Sequence, residues 1–398
     1  MPEGPPSSVP AKAATTVARG GVRPHERALA PDLARGLMLL MIVMSNTGFY
    51  LWAAPHGPSG WHPVDGTLAD RVAQFLMITM LDLRIYPLFA FLFGYGMMQL
   101  FLRQTVAGTS ERAAVALLRR RSLLLIVFGF VHAALLMAGD IIGSYGVMSL
   151  LLGWLFLRRR DRTLLVWSAI AGLVMVVVTV PRIWALVTGD LAQPGVPPTE
   201  PATEVYASGE EDLLAAAGTR LTTWVFVTLG GGLLSFGGMS LVLLAFWAAR
   251  RRILEEPLTL VRDGTGLAGG LGYIAAIALV AHELSVRRRR PRAVVAVAAV
   301  GSRSLSCYLT HSLIFSPLLA AWGLGLGAVM ESATRAGFAC CVWLVTVVGA
   351  YALERSGRRG PAEWLLRRLL YGANRATAQC GTPRLTRQRA CASARGRW

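Results

Sequence analysis

Ionisable and amide side chains lie within apolar stretches of this chain, and they are the first candidates for chemistry. The segment ALAPDLARGLMLLMIVMSN, residues 28–46, places Asp32 and Arg35 at one end of an apolar run and Asn46 at the other. Asp32 and Arg35 are three residues apart, a spacing that allows an ion pair on one helix. Ionisable groups are costly inside a membrane and usually functional there. The alternative is a helix-start acid beside an arginine that reaches the membrane surface.

A second candidate group lies in the glycine- and proline-rich segment APHGPSGWHPVDG. This segment contains His56, His62 and Asp65. A histidine titrates near neutral pH and can act as a general base when a carboxylate orients it. The segment therefore predicts either a general base with an orienting partner or an ordinary solvated loop.

Four more residues are candidate binding groups. His132 and Asp140 are eight residues apart, so they would share one helix face about two turns apart; Asp140 could equally be only a helix cap. His311 lies in the polar stretch SCYLTHSLIFS, which could line a cavity or hydrogen-bond neighbouring helices. Arg84 could bind an anionic group, because guanidinium forms paired hydrogen bonds with phosphate. No metal-ligand spacing or phosphate-binding loop occurs, so we predict no metal.

The composition predicts an integral membrane protein. Hydrophobic residues make up 54% of the 398 residues and charged residues 16%, whereas about a quarter of a soluble domain is charged. The mean hydropathy is +0.50. A membrane-spanning helix needs about 20 apolar residues, and we therefore predict an all-α polytopic bundle of about 9–10 transmembrane helices. The apolar segments are 33–52, 70–102, 122–138, 140–157, 163–186, 221–249, 264–282, 294–322 and 335–354.

Many of the arginines behind the net charge of +18 lie in short clusters between apolar segments. That distribution is typical of cytoplasmic loops and not of a nucleic-acid-binding domain. We predict a multi-pass protein of the plasma membrane with both termini in the cytoplasm. The lipid bilayer is then a partner and nucleic acid is not. The loops near 53–69 and 188–220 should be extracytoplasmic, since the first has no Lys or Arg and the second is acidic.

Three parts follow from these patterns. Residues 1–31 are predicted to be a disordered cytoplasmic arm, residues 32–371 the transmembrane domain, and residues 372–398 a disordered basic tail. The arginines at 250–252 and 287–290 both favour the cytoplasm, although one clear apolar segment separates them. Either one cluster is outside, or that segment re-enters, or a helix is missing.

Five motifs in order resemble those of the YeiB-like bacterial membrane proteins, the family called domain of unknown function 418. They are PDLARGLMLLMIVMSN, IYPLFAFLFGYGM, LLRRRSLLLIVFGFVHAALLMAGDII, GSRSLSCYLTHSL and RGPAEWLLRRLLYG, spanning about residues 30–372. That family is similar to membrane acyltransferases such as heparan-alpha-glucosaminide N-acetyltransferase, which pass an acyl group from cytoplasmic acyl-CoA to an acceptor across the bilayer. The resemblance implies acyl-CoA as donor substrate and an unidentified extracytoplasmic acceptor.

The resemblance also implies roles for individual residues. Asn46 matches an asparagine of the first helix and would orient the reacting carbonyl or the acceptor. His56 lies near the family's catalytic histidine and would be the general base, with His62 as a close competitor. Arg35, beside Asp32, would meet a CoA phosphate.

Asp140 would anchor the acceptor in the same scheme. His311 and Cys307 stand where the family commonly has glutamine and asparagine. Three other interpretations stay open: a transporter or flippase-like carrier of a small or lipid-linked substrate, a membrane scaffold or sensor that works through its arginine-rich tail, and a degenerate, non-catalytic family member.

Overall fold

The computed structural model describes residues 29–54, 66–81, 85–188, 204–254 and 291–380, together with Pro63 and Val280. Twelve α-helices and three short 3-10 turns form this part of the chain, and no β-strand occurs within it. The helices are α1 (Leu29–Asn46), α2 (Leu68–Met80), α3 (Ile85–Val106), α4 (Glu111–Leu135), α5 (Ile141–Phe156), α6 (Asp161–Val187), α7 (Leu213–Leu233), α8 (Phe236–Arg250), α9 (Arg292–Ser302), α10 (Ser304–Leu319), α11 (Ser332–Arg355) and α12 (Pro361–Cys380).

The predicted all-α membrane bundle is confirmed. Five of the described helices are long and apolar enough to cross a membrane: α1, α3, α6, α7 and α11. The bent pair α9 and α10 makes a sixth if the two form one span. Helices α5 and α8 are apolar but shorter. The count of nine or ten included such shorter segments.

Three predicted segments each divide into two helices. Segment 70–102 becomes α2 and α3, and Pro87 lies in the first turn of α3, where a missing N–H costs nothing. Segment 221–249 becomes α7 and α8. Segment 294–322 becomes α9 and α10, which meet at Arg303 with a bend of 84°. The sequence predicts the first of these breaks, because 70–102 is long for one helix and contains Pro87, and it leaves the helix boundaries near Gly238 and Ser302 open.

Several predicted segments fall wholly or partly outside the described residues. Helix α1 begins at Leu29, within the predicted N-terminal arm, and α7 begins at Leu213, within the second predicted loop. Helix α12 continues to Cys380, within the predicted C-terminal tail. The three topologies weighed around 250–292 depend mostly on undescribed residues. The segments concerned are 1–31, 53–69, 188–220, 264–282 and 372–398.

Close helix contacts at glycine hold the centre of the bundle. Helix α1 packs along α9, and α3 packs along α8. A Cβ atom added to Gly36 would lie 2.1 Å from the Val297 carbonyl oxygen, and one added to Gly301 would lie 1.7 Å from that of Asp32. Backbone thus touches backbone where α1 and α9 cross, and this contact fixes the end of α1 that carries Asp32.

We expect Gly301→Ala to destabilise the protein, because the new methyl group can only be accommodated by moving two backbones apart. Overpacking of this kind costs about 1–3 kcal/mol. The matched control is Gly337→Ala on α11, where an added Cβ meets no heavy atom within 4 Å. Thermal unfolding in detergent should show a lower midpoint for Gly301→Ala alone. Equal midpoints for the two variants would contradict the close contact.

A buried carboxylate joins α2 to the start of α11. Asp70 is 2% exposed, and its Oδ1 accepts a hydrogen bond of 2.8 Å from the Ala333 N–H. Its Oδ2 accepts from the Thr67 hydroxyl at 2.6 Å and from the Thr67 N–H at 2.9 Å. These bonds lower the pKa of Asp70 below its ordinary 3.8, and the hydrogen bond with Asp70 raises the pKa of Glu331. The ionised form of Asp70 is therefore the one that stabilises this contact.

The sign of this shift predicts a pH dependence. A carboxyl whose pKa is lower in the folded state stabilises the fold fully above its unfolded pKa and loses that effect as the pH falls below it. We therefore expect Asp70→Asn to lower the thermal midpoint at neutral pH. The difference from the wild type should shrink as the pH falls from about 5 to about 3. A deficit of the same size at both ends of that range would refute this assignment.

Candidate functional site

A cavity of about 400 Å³ lies between α1, α3, α4, α5, α9, α10 and α12. Apolar and aromatic side chains such as Met38, Phe89, Leu92 and Phe93 make up much of its wall. Four basic and two acidic side chains also line it, an excess of two positive charges. The charged side chains are Arg35, Arg103, Arg121, Arg367, Asp32 and Glu363. Its lining suits an amphiphile with an anionic group and an apolar part.

Asp32 and Arg35 form the predicted pair in the wall of this cavity. Arg35 Nη1 lies 3.2 Å from Asp32 Oδ1, and Nη2 lies 3.5 Å from the Leu92 carbonyl oxygen. A Cβ atom on Gly96 would come within 2.8 Å of Arg35 Nη2. Glycine at that position therefore provides the space in which the guanidinium lies against α3.

Arg121 brings a second guanidinium into the cavity from α4. Its Cζ lies 5.4 Å from the centre of the Phe93 ring, a distance typical of a cation–π contact. Sequence analysis assigned the arginines at 119–121 to membrane topology as a group. The structure separates them, because Arg121 faces the cavity while Arg119 and Arg120 are exposed.

His132 and Asp140 form a buried dyad, with Nδ1 of the ring 3.0 Å from Oδ1 of the carboxylate and neither side chain exposed. The spacing predicted that the two residues share one helix face, and this prediction is wrong. Helix α4 ends at Leu135, and Asp140 caps α5 by accepting from the Gly143 N–H at 2.7 Å. The two side chains meet across the turn between antiparallel helices, so Asp140 serves as both cap and histidine partner.

The dyad leaves one imidazole nitrogen available. A carboxylate only accepts hydrogen bonds, so Nδ1 of His132 is the donor in this pair, and in a neutral imidazole the lone pair is then on Nε2. Nε2 has no hydrogen-bond partner in the part of the chain that the structure describes. The ring centre of Tyr308, which lines the cavity, lies 5.3 Å from that of His132. The available nitrogen therefore belongs to a group directly behind the cavity wall.

Helix α7 holds both members of the dyad in place. Arg220 donates from Nε to the Ala133 carbonyl at 3.1 Å and from Nη2 to the Ala134 carbonyl at 2.9 Å. These carbonyls belong to the last turn of α4, where helical partners are missing. Trp224, one turn along α7, donates from Nε1 to Asp140 Oδ2 at 3.4 Å. Neither residue was predicted from the sequence; Arg220 is the last residue of the predicted loop 188–220, so nothing in its position indicated that it would be buried.

The other predicted residues are not brought to this place. His311 is buried and its Nε2 lies 3.1 Å from the Thr346 hydroxyl oxygen. Asn46 is the last residue of α1 and is half-buried. Neither is among the residues that line the cavity. His56 and Arg84 lie outside the described residues.

His62 and Asp65 also lie outside them. Within the described ranges, no group of three or more His, Cys, Asp or Glu side chains could hold a metal ion.

We expect Asp140→Asn to change the tautomer of His132. An asparagine amide can donate to Nδ1, which would move the ring proton to Nε2. Nitrogen-15 NMR of histidine-labelled protein distinguishes the two forms. The control is Thr346→Val, which removes the partner of His311 and should leave the His132 signal unchanged. An unaltered His132 signal in Asp140→Asn would contradict the proposed hydrogen bond.

Comparisons with known proteins place the chain beside others that have no assigned activity. Residues 210–373 match the family described as "Protein of unknown function (DUF418)". The uncharacterized protein YxaH of Bacillus subtilis (strain 168) is 25% identical, over 87% of this chain and 95% of that protein. The uncharacterized protein YeiB of Escherichia coli (strain K12) is 24% identical, over 86% of this chain and 96% of that protein.

A shorter match concerns an uncharacterized 39.9 kDa protein in the amylase 3' region of Bacillus acidopullulyticus. It is 34% identical over 128 residues, which are 32% of this chain and 33% of that protein. No solved structure matches. The resemblance to YeiB-like proteins is thereby confirmed across most of the chain, and these names carry no reaction with them.

Proposed function

We propose that this chain, which is similar to the YeiB-like proteins of unknown function (DUF418), is a membrane acyltransferase with His132 as its general base. The acyl group would come from an acyl-CoA donor and pass to a hydroxyl or amine of an acceptor. The observation that carries the proposal is the buried His132–Asp140 dyad behind the wall of an amphiphilic cavity. The family resemblance implied this role for His56, which lies outside the described residues.

Different parts of the cavity lining would bind the phosphates and the acyl chain of an acyl-CoA. Guanidinium groups bind phosphate through paired, charge-assisted hydrogen bonds, and Arg35, Arg103, Arg121 and Arg367 offer four of them. The apolar wall would hold the acyl chain and the arm that carries the thioester. A volume of about 400 Å³ is at the small end for ligand pockets. We therefore expect the nucleotide part to stay outside, with its phosphates at the arginines.

The reaction would need one base that later acts as an acid. His132 Nε2 takes the proton of the acceptor O–H or N–H while that oxygen or nitrogen bonds to the thioester carbonyl carbon. The carbon–sulfur bond then breaks, and the leaving thiolate receives the same proton from the imidazolium. Asp140 would stabilise the imidazolium and hold its orientation. The products are an acylated acceptor and a free thiol, so atoms and charges balance.

The test is transfer of label from radiolabelled acetyl-CoA by purified protein, with cell-envelope extract as the acceptor mixture. We expect His132→Gln to lower the rate by about 10²–10⁴-fold, the usual effect of losing a general base. The control is His311→Gln, which alters another buried helix histidine that, like His132, does not line the cavity and that is bonded to Thr346 and not to the dyad. His56→Ala is included because the family resemblance assigns it the same role. Full activity of His132→Gln would overturn the assignment of the base.

A carrier is the second candidate, and the amphiphilic lining of the cavity is the observation that favours it. A carrier needs the cavity but no dyad. If acyl-CoA raised the thermal midpoint of the wild type and of His132→Gln alike without any transfer of label, the carrier would replace the enzyme. The increase in thermal midpoint caused by acyl-CoA should be smaller in Arg121→Gln, whether the protein is an enzyme or a carrier. Arg121 lines the cavity, where its guanidinium lies against Phe93, and the variant removes this positive charge.

A further inference from the structure

Helix α12 has one face in the bundle and one face outside it. Glu363, Leu366 and Arg367 line the cavity, and Leu370 is buried. These four residues follow the spacing of a single helical stripe. The opposite face exposes large apolar side chains: Trp364 is 52% exposed, Leu365 41% and Leu369 40%. An exposed apolar face of this kind indicates a surface that another molecule contacts.

The outward face is basic as well as apolar. Arg368 is exposed, and its Cζ lies 5.4 Å from the centre of the Trp364 ring. Arg355, Arg358 and Arg359 are exposed at the end of α11 and in the turn that leads to α12. No carboxylate lies on this outward face between Trp364 and Tyr371. The partner therefore has to satisfy apolar and positively charged groups side by side.

Helix α12 is not among the described helices that are long and apolar enough to cross a membrane. A basic amphipathic helix that exposes tryptophan and leucine is typical of the layer between lipid headgroups and acyl chains. Apolar side chains enter the acyl region in that position, and arginines meet phosphates.

The backbone beneath this face is fixed to the bundle. Arg303 donates to Glu354 Oε2 at 2.8 Å and to the Arg358 carbonyl at 2.6 Å. Glu363 accepts from the Leu305 N–H at 2.8 Å and from the Ser306 N–H at 3.1 Å. The turn and the start of α12 are thus both attached to the first turn of α10 and the residue before it. The exposed side chains project from a rigid support.

We propose that the outward face of α12, with the arginines at 355, 358 and 359, is a docking surface for the headgroups of anionic phospholipids. The apolar residues insert into the bilayer surface beside them. The same helix carries Glu363, Leu366 and Arg367 in the cavity wall, so lipid bound outside holds that wall in place. This proposal does not depend on acyl transfer, because it concerns the opposite face of the helix.

The test uses a nitroxide spin label at position 365, introduced as Leu365→Cys after the five native cysteines are replaced by serine or alanine. The protein is placed in nanodiscs of phosphatidylcholine alone or with phosphatidylglycerol. Relative collision rates with oxygen and a water-soluble nickel complex report the depth of the label. We expect the label to lie at the headgroup–acyl boundary, and to lie deeper when phosphatidylglycerol is present.

Charge is tested by a matched pair of triple variants. Arg358→Gln, Arg359→Gln and Arg368→Gln together should remove the effect of phosphatidylglycerol on depth. The control changes three exposed arginines of α4, Arg112→Gln, Arg119→Gln and Arg120→Gln, and should preserve it.

Three results would overturn the proposal. The first is a label as accessible to the nickel complex as one in water. The second is a label depth that changes neither with phosphatidylglycerol content nor in the triple variant of Arg358, Arg359 and Arg368. The third is protection from both collision reagents, which would indicate a second copy of the chain on this face.

Discussion

The arrangement of the site depends on one buried carboxylate. Asp140 is fully buried, and its oxygens face His132 from α4, the Gly143 N–H from α5 and Trp224 from α7. A carboxylate in apolar surroundings is very costly unless donors surround it. The three helices can therefore pack in few other ways without leaving that charge unsatisfied. Arg220 adds to this constraint, since it joins α7 to the open carbonyls at the end of α4.

A second constraint comes from backbone contacts at glycine. Gly36 and Gly301 let α1 and α9 touch, and Gly96 leaves room for Arg35 against α3. Larger residues at these positions would move α1 outward and open the cavity on that side. Small residues commonly mediate helix packing in membranes, where burial of apolar surface supplies little driving force. Close packing here also brings the guanidinium groups to one cavity, and their mutual repulsion favours an anionic occupant.

Two pairs of residues that the sequence singled out lie together in the structure. Asp32 and Arg35 pair because their spacing on one helix is enough to bring them together. His132 and Asp140 also meet, although across a turn and not along one helix face. Asn46 and His311 were chosen by the same kind of reasoning and do not line the cavity. Polarity within an apolar segment identifies unusual residues but does not say which of them face one another.

Composition and segment length alone determined that this is an all-α membrane protein, because lipid admits few other structures for apolar segments of about 20 residues. Short motifs predicted its resemblance to the YeiB-like proteins, which the comparisons confirm. Only the tertiary structure decided which arginine of the cluster 119–121 enters the cavity, that α7 supports the dyad, and that α12 carries a cavity wall. Those facts depend on contacts between helices that are distant in sequence, and such contacts are set by packing of whole helices and not by local spacing.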